Sequence, residues 1–420
     1  MWIALGSSFI TLCAVLLVMN FITGEKKIER QLERRYATAE PQFRRALSVL
    51  LGPPFLAGNK VEVLVNGDRI FPAMLAAIRQ AQRTITFETY IYWSESIGQE
   101  FADALGERAR AGVAVHVLLD WVGSVKMEQR YLDDMQASGV DIERYHQPHW
   151  ANLPRMNNRT HRKVLVLDGR LGFTGGVGIA DQWRGDARDP AQWRDTHFRV
   201  EGPVVAQMQA VFMDNWIKAK GRVLHDHDYF PALDPVGDLA AQMFSSSPSG
   251  GSESMHLMYL LAITAARDTI HIGNSYFVPD GLVVRALVEA AARGVKVRVI
   301  TPGEHIDTEI VRRASRAGWG ELLSAGIEIA EFQPTMYHCK VFVVDGLLVS
   351  VGSTNFDSRS FRLNDEANLN VLDSAFAQEQ IAIFDADWQR SRAITFDQWV
   401  RRPWTERLLE RAAALLRLQL

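Results

Sequence analysis

The chain carries a histidine and a lysine two residues apart at two places, His161 with Lys163 and His338 with Lys340. Residues i and i+2 share one face of a strand, so each pair presents an imidazole and an ammonium to the same side. An imidazole can attack, accept a proton or return one near neutral pH. An ammonium offsets the charge of an anion beside it. Each pair opens a run that is apolar throughout, VLVL after the first and VFVV after the second, as in a strand buried on both faces. Asp168-Gly169 and Asp345-Gly346 then have the composition of two-residue hairpin turns. The returning strands end in small residues, GGVG at 175–178 and GSTN at 352–355, where backbone N–H groups can approach an anion closely. Two imidazoles, two ammoniums and small donors suit a phosphodiester, provided that both copies meet in one cleft.

The elements that would position them are also written twice. VEVLVNGD (61–68) alternates like a strand, and a helical stretch, the strand TITFETYIYW, a helix through Arg110 and the strand VAVHVLLD follow. Another helix ends at ASGVDIERY, and a polar loop leads into the His161 strand. The second half repeats this order from AAQMFSSS (240–247) through TIHIGNSYFVPD, VKVRVITP and SAGIEIAEF to the His338 hairpin. ARAGVAVHVLL matches AARGVKVRVIT, so the chain is a duplication with loop changes rather than a solenoid. Strands alternating with helices predict an α/β fold in each half. RDTHFRV (194–200) aligns with DEANLNV (365–371), which pairs Asp195 with Glu366. A carboxylate accepting from one imidazole nitrogen sets the tautomer and leaves the other nitrogen to react. Asp195 and Glu366 are the first candidates for that task, with Asp168 and Asp345 as the alternative.

The doubled pattern H-x-K-x4-D with a small-residue loop behind it resembles that of the phospholipase D superfamily. With YFVPDG, RRASRAGWGELLSAGIEI and VGSTNFDSRSFRLNDEANLN, the chain is similar to the bacterial cardiolipin synthases over roughly residues 55–400. The resemblance implies an α/β fold of two pseudo-symmetric phospholipase D-like lobes sharing one central cleft, behind an N-terminal transmembrane helix. Carried over residue by residue, the catalytic set is His161, Lys163, Asp168, His338, Lys340 and Asp345, and phosphate is met by Gly176, Ser353 and Asn355. The second copy holds every position of the pattern; the first has Gly178 where the family has asparagine. The implied reaction joins two phosphatidylglycerols into cardiolipin and glycerol through a phosphatidyl-histidine. In the superfamily the amino-terminal histidine, here His161, is usually the nucleophile. Two fixed ammoniums make a metal or other cofactor unnecessary. A hydrolytic phospholipase D and a catalytically silent lipid-binding protein are the alternatives.

The bulk properties bound the rest. The chain has 420 residues, 47% of them hydrophobic, and a net charge of −3, which argues against a nucleic-acid partner. Two cysteines form no disulfide framework, and Cys339 reads as a small apolar filler. WIALGSSFITLCAVLLVMNFIT has no charged side chain before Glu25, and about 20 apolar residues cross a bilayer. The basic EKKIERQLERR behind it places the bulk of the chain in the cytoplasm by the positive-inside rule. The expected division is a transmembrane anchor over 1–24, a basic juxtamembrane segment over 25–58, lobes over 59–232 and 233–396, and an amphipathic C-terminal helix over 397–420. Partners are then phosphatidylglycerol and the bilayer, at the bacterial inner membrane. Arg312, Arg313 and Arg316, at helical spacing, read equally as lipid-phosphate contacts and as a solvated face.

Overall fold

A computed structural model describes residues 28–145, 147, 157–248 and 253–417, with the isolated positions 11 and 15. Apart from those two positions, the anchor expected over 1–24 therefore lies outside the described residues, as does the loop over 148–156. Among the described residues no helix is long and apolar enough to cross a membrane.

The first half supplies β1 (Leu56–Val65), β2 (Thr84–Thr89), β3 (Ala114–Asp120), β4 (Asp141–Tyr145), β5 (Arg159–Thr160), β6 (Val164–Leu167), β7 (Leu171–Gly175) and β8 (Thr196–Glu201). The second supplies β9 (Leu239–Ser246), β10 (Thr269–Asn274), β11 (Phe277–Val278), β12 (Lys296–Pro302), β13 (Glu328–Phe332), β14 (Lys340–Val344), β15 (Leu348–Gly352), β16 (Phe356–Asp357), β17 (Asn364–Leu372) and β18 (Ser391–Ile394). All but β11 and β16 belong to one 16-stranded sheet, in the order β18-β13-β12-β10-β14-β15-β17-β9-β1-β8-β7-β6-β2-β3-β4 with β5 added on β17. From the β1–β9 junction outward, both directions run through matching strands: β8, β7, β6, β2, β3, β4 on one side and β17, β15, β14, β10, β12, β13 on the other. The doubled sequence leads one to expect two similar lobes packed face to face around the cleft. Instead the halves join edge to edge through β1 and β9, which removes two exposed sheet edges at once.

The strands that carry the histidines are apolar because both faces are covered. Val164, Leu165, Val166 and Leu167 are buried, and one apolar cluster runs from Val61 and Phe198 of the first half to Val343 and Phe376 of the second. At the hairpin turns Asp168 and Gly169 have φ of 52° and 62°, and Asp345 and Gly346 have 53° and 57°. Both central residues are left-handed, the type I′ turn that the Asp-Gly pairs predict.

Two terminal expectations need revision. Within the segment read as juxtamembrane, Pro41–Leu51 is a helix whose Phe43, Leu47 and Leu51 pack into the core of the second half. The C-terminal segment is two short helices, Phe396–Arg401 and Trp404–Ala414, rather than one. Pro403 between them lacks the N–H that a continuous helix needs. The second helix docks on the helix Glu309–Ala317 through Arg316–Glu410 and the buried Ala413.

Candidate active site

Each histidine is held from the opposite half. His161 Nδ1 lies 3.0 Å from Glu366 Oε1, and His338 Nδ1 lies 2.7 Å from Asp195 Oδ2. The backbone sets up this crossing first. β5 pairs in parallel with the start of β17, and the His161 amide donates to Asp365 O at 2.8 Å. The mirror contact is the His338 amide donating to Arg194 O at 2.7 Å, beside the Arg194–Tyr337 bridge. Each histidine is thus hydrogen-bonded to the residue that precedes the other half's carboxylate. Donation from Nδ1 fixes the tautomer and leaves Nε2 with its lone pair.

Both imidazoles line one cavity of about 570 Å³, together with Lys163, Asn355 and Arg359. Lys163 Nζ donates to His161 O and Lys340 Nζ to His338 O, each at 2.7 Å. Burial pulls Lys163 down to about 7 and Lys340 to about 8. It also lowers His161 to about 4 and His338 to about 3, and each imidazole is pushed further by the ammonium of the other half. Both rings are neutral at pH 7. Glu366 and Asp195 stay below the usual carboxylate range: burial opposes this, but the facing imidazoles and lysines outweigh it.

The remaining candidates separate into three groups. Asp168 and Asp345 are not brought to the cavity. They sit five residues beyond the lysines, roughly 16 Å along a strand, where their carboxylates accept from backbone. Asp168 accepts from the amides of Gln82, Arg83 and Thr84, and Asp345 from those of Arg267, Asp268 and Thr269 and from Thr38 Oγ1. These carboxylates fasten the turns to neighbouring loops, and as imidazole orienters they are out of reach. Gly176 and Ser353 serve the carboxylates. Ser353 Oγ donates to Glu366 Oε2, and a Cβ at Gly176 would lie 2.3 Å from Asp195 Oδ1. Asn355 lines the cavity, with its Oδ1 accepting from Ser275 Oγ.

One residue that the sequence reading passed over, Trp183, compensates for the difference between the halves. Its Nε1 donates to Asp195 Oδ2 at 2.9 Å, the service that Ser353 performs for Glu366. Its ring meets that of His338 edge-on at 5.2 Å, and Trp193 flanks the same imidazole at 5.3 Å. A Cβ at Gly178 would lie 2.8 Å from Ile91 Cβ and 3.2 Å from the Trp183 ring. The glycine in place of asparagine is therefore the space that the indole needs. Nothing in the motif spacing signals a tryptophan five residues further on.

Further residues hold the strands and loops that carry these groups. Asp120 Oδ2 accepts from the Thr160 amide, and Thr160 Oγ1 donates to Glu88, which pins the residue before His161. Asn274 Oδ1 accepts from Tyr276 and Phe356 and steadies the Asn355 loop. Of the three arginines at helical spacing, Arg312 and Arg316 are largely covered and pair with the buried Glu331, whereas Arg313 stays partly exposed and pairs with Glu309. Cys339 is buried, with its thiol raised by burial to about 12, which makes it a poor nucleophile.

The family described as cardiolipin synthase, PLD-like domain, matches twice, at residues 74–212 and 259–388. A cardiolipin synthase of Geobacillus kaustophilus is 35% identical over 382 residues, 90% of this chain and 75% of that protein. Cardiolipin synthase A of Pseudomonas syringae is 36% identical over 357 residues, 84% of this chain and 74% of its own length. Among solved structures, phosphatidylserine synthase of Haemophilus influenzae superposes with a TM-score of 0.70 at 14% identity, covering 91% of this chain and all of that one. That likeness speaks for the fold.

Proposed function

The chain belongs to the family of cardiolipin synthases built from phospholipase D-like domains, and from that premise we propose how its two histidines share the work. It is a phosphatidyltransferase of cardiolipin synthesis that acts on phospholipids. The substrates are two phosphatidylglycerols. His161 Nε2 attacks the phosphorus of the first, and the bond from phosphorus to the headgroup glycerol oxygen breaks. His338 gives its proton to that oxygen, and glycerol leaves a phosphatidyl-His161. A headgroup hydroxyl of the second lipid then loses its proton to His338 and attacks phosphorus. The P–N bond breaks, cardiolipin departs and His161 is neutral again.

The observation that carries this reading is the crossed pairing of His161 with Glu366 and His338 with Asp195 around one cavity. A neutral His161 is ready as a nucleophile. A phosphodiester anion arriving beside His338 raises its affinity for a proton, so the substrate itself arms the acid. Lys163, Lys340 and the Asn355 amide nitrogen meet the phosphoryl oxygens. Residues 1–24 anchor the chain in the inner membrane, with the catalytic part on the cytoplasmic side.

Lipid analysis of cells expressing the wild type and His338→Ala tests the function. Cardiolipin made only by the wild type supports transfer. Phosphatidic acid in its place indicates a hydrolase, and no new lipid in either sample indicates a silent binder.

A further inference from the structure

The two sides of the cavity differ in a way that the duplication does not require. Tyr276 and Ile91 hold matching places in the two halves. The Tyr276 carbonyl accepts from the Phe356 amide at 3.0 Å and the Ile91 carbonyl from the Ile179 amide at 2.9 Å, each donor just after the small-residue loop of its own half. Both residues line the cavity. On the first side this place carries an aliphatic group. On the second it carries a phenol, whose OH donates to Asp307 Oδ2 at 2.6 Å. Asp307 lies between β12 and the helix Glu309–Ala317, lines the cavity and stays exposed there. A carboxylate offers about four acceptor positions, and Tyr276 takes one of them. Asp357, which also lines the cavity, is taken up by its own helix, accepting from Ser360 N. The Tyr276–Asp307 pair stands on the side of His338. Lys340 Nζ lies 3.2 Å from His338 Nε2 and donates at 2.7 Å to Oγ of Ser275, the residue before Tyr276. Burial raises the Asp307 carboxyl from its ordinary value, against the pull of the Tyr276 hydroxyl and of Lys340. A carboxylate repels phosphate, so its place on this wall calls for a group that donates hydrogen bonds.

We propose that Asp307, oriented by Tyr276, is a hydroxyl-recognition subsite for the headgroup glycerol, first of the donor lipid as it leaves and then of the acceptor lipid as it attacks. The proposal rests on the transferase reading above and adds what selects the alcohol. The leaving and the entering oxygen occupy one position, opposite the P–N bond to His161 and beside His338, because the second step retraces the first. At that position a glycerol headgroup always has a hydroxyl to spare. The leaving glycerol keeps two besides the oxygen that was bound to phosphorus, and the acceptor keeps one besides the hydroxyl that attacks. The spare hydroxyl donates to Asp307, a charge-assisted bond about twice as strong as a neutral one. Water has no second hydroxyl to offer. An amine headgroup brings a positive charge that Lys163 and Lys340 oppose.

The test compares acceptors that share one intermediate. The full chain in phosphatidylglycerol vesicles is given labelled glycerol, 1-propanol and ethanolamine at equal concentrations, and the three transfer products are measured together. In Asp307→Asn the ratio of glycerol to propanol transfer falls about 10- to 100-fold, the loss of one charge-assisted bond. Tyr276→Phe lowers the same ratio by less, because the carboxylate stays but loses its orienting donor, and Asp307→Glu recovers part of it. The ratio is read within one sample, so a smaller folded fraction does not move it. An unchanged ratio overturns the proposal even where every product falls, because Asp307 then serves the phosphoryl group or the fold. A larger loss for ethanolamine than for glycerol overturns it too, since the carboxylate then serves an ammonium. A wild type that transfers to none of the three and makes no cardiolipin would instead bring down the transferase reading itself.

Discussion

Glu366 Oε1 lies 3.0 Å from Nδ1 of His161, across 205 residues of chain and the junction between the halves. The carboxylate therefore sets the tautomer of a histidine that its own half does not contain. Glu366→Gln removes the acceptor charge with little change in volume. Rapid-quench labelling with phosphatidylglycerol should show accumulation of lipid-bound protein slowed by about 10⁴-fold, as when a catalytic histidine loses its orienting carboxylate. His161→Ala should abolish the adduct altogether. An unchanged burst in Glu366→Gln would show that the pairing does not matter to the chemistry.

Trp183 and Ser353 perform one task on opposite sides of the pseudo-twofold relation. Trp183→Phe and Ser353→Ala each leave a buried carboxylate short of one donor, which costs about 1–3 kcal/mol or roughly 10- to 100-fold in kcat. Gly178→Asn restores the residue usual at that position in the family, yet it should lower activity. The added Cβ would meet Ile91 at 2.8 Å and the Trp183 ring at 3.2 Å, an overpacking worth about 1–3 kcal/mol. Faster turnover in Gly178→Asn would mean that the indole does not need the space the glycine leaves.

The pH profile of kcat/KM follows from the two lysines. Lys163 titrates at about 7 and Lys340 at about 8, in both cases first because of burial. Both must be charged to meet the phosphoryl oxygens, so kcat/KM falls as pH rises through 7 to 8. His161, lowered by burial to about 4, keeps its lone pair throughout that range. The groups interact, so the measured midpoints belong to the cluster. A profile measured with a short-chain soluble lipid that stays flat to pH 9 would contradict this assignment.

Glu88 gives a stability prediction of opposite character. Burial raises its carboxyl to about 7, although Thr160 and Asn215 donate to it. The folded state then holds a proton that the unfolded chain releases above the ordinary value of 4.5, so stability is lost as pH rises from 4.5 to 7. Glu88→Gln keeps an acceptor for Thr160 and Asn215 and does not titrate. Its unfolding free energy, measured by denaturant titration, should exceed that of the wild type by about 3 kcal/mol at pH 8 and match it at pH 4.5. A variant less stable than the wild type at pH 8 would place the Glu88 charge among the stabilising groups.

Much of the fold and site could be read directly from residue types. Duplication was visible because ARAGVAVHVLL and AARGVKVRVIT survive as near copies, and the two hairpins because Asp-Gly suits left-handed turns. The paired carboxylates Asp195 and Glu366 stood out through alignment of the halves. Asp168 and Asp345 misled because spacing along one strand reveals nothing about distance from a cleft at its far end; there they accept from loop amides. Trp183 had no pattern to announce it, since it matters through the carboxylate and the imidazole that it meets, and His338 comes from the other half.

By itself the amino-acid sequence determined the two α/β halves, the His-x-Lys strands, their turns and the phosphodiester chemistry those groups suit. These are local matters, set by the two-residue period of a strand, by the burial of apolar runs and by the conformational freedom of glycine. Only the tertiary structure decided that the halves join edge to edge through β1 and β9, and that each imidazole is held by the other half's carboxylate. It alone also turned Gly178 from a missing donor into room for an indole. For the junction and the crossed pairs the physical reason is the same: contacts between segments more than a hundred residues apart depend on how the sheet closes, and no spacing within one segment encodes that closure. The indole's place depends on how its loop packs beside Ile91 and Asp195, which motif spacing does not encode either.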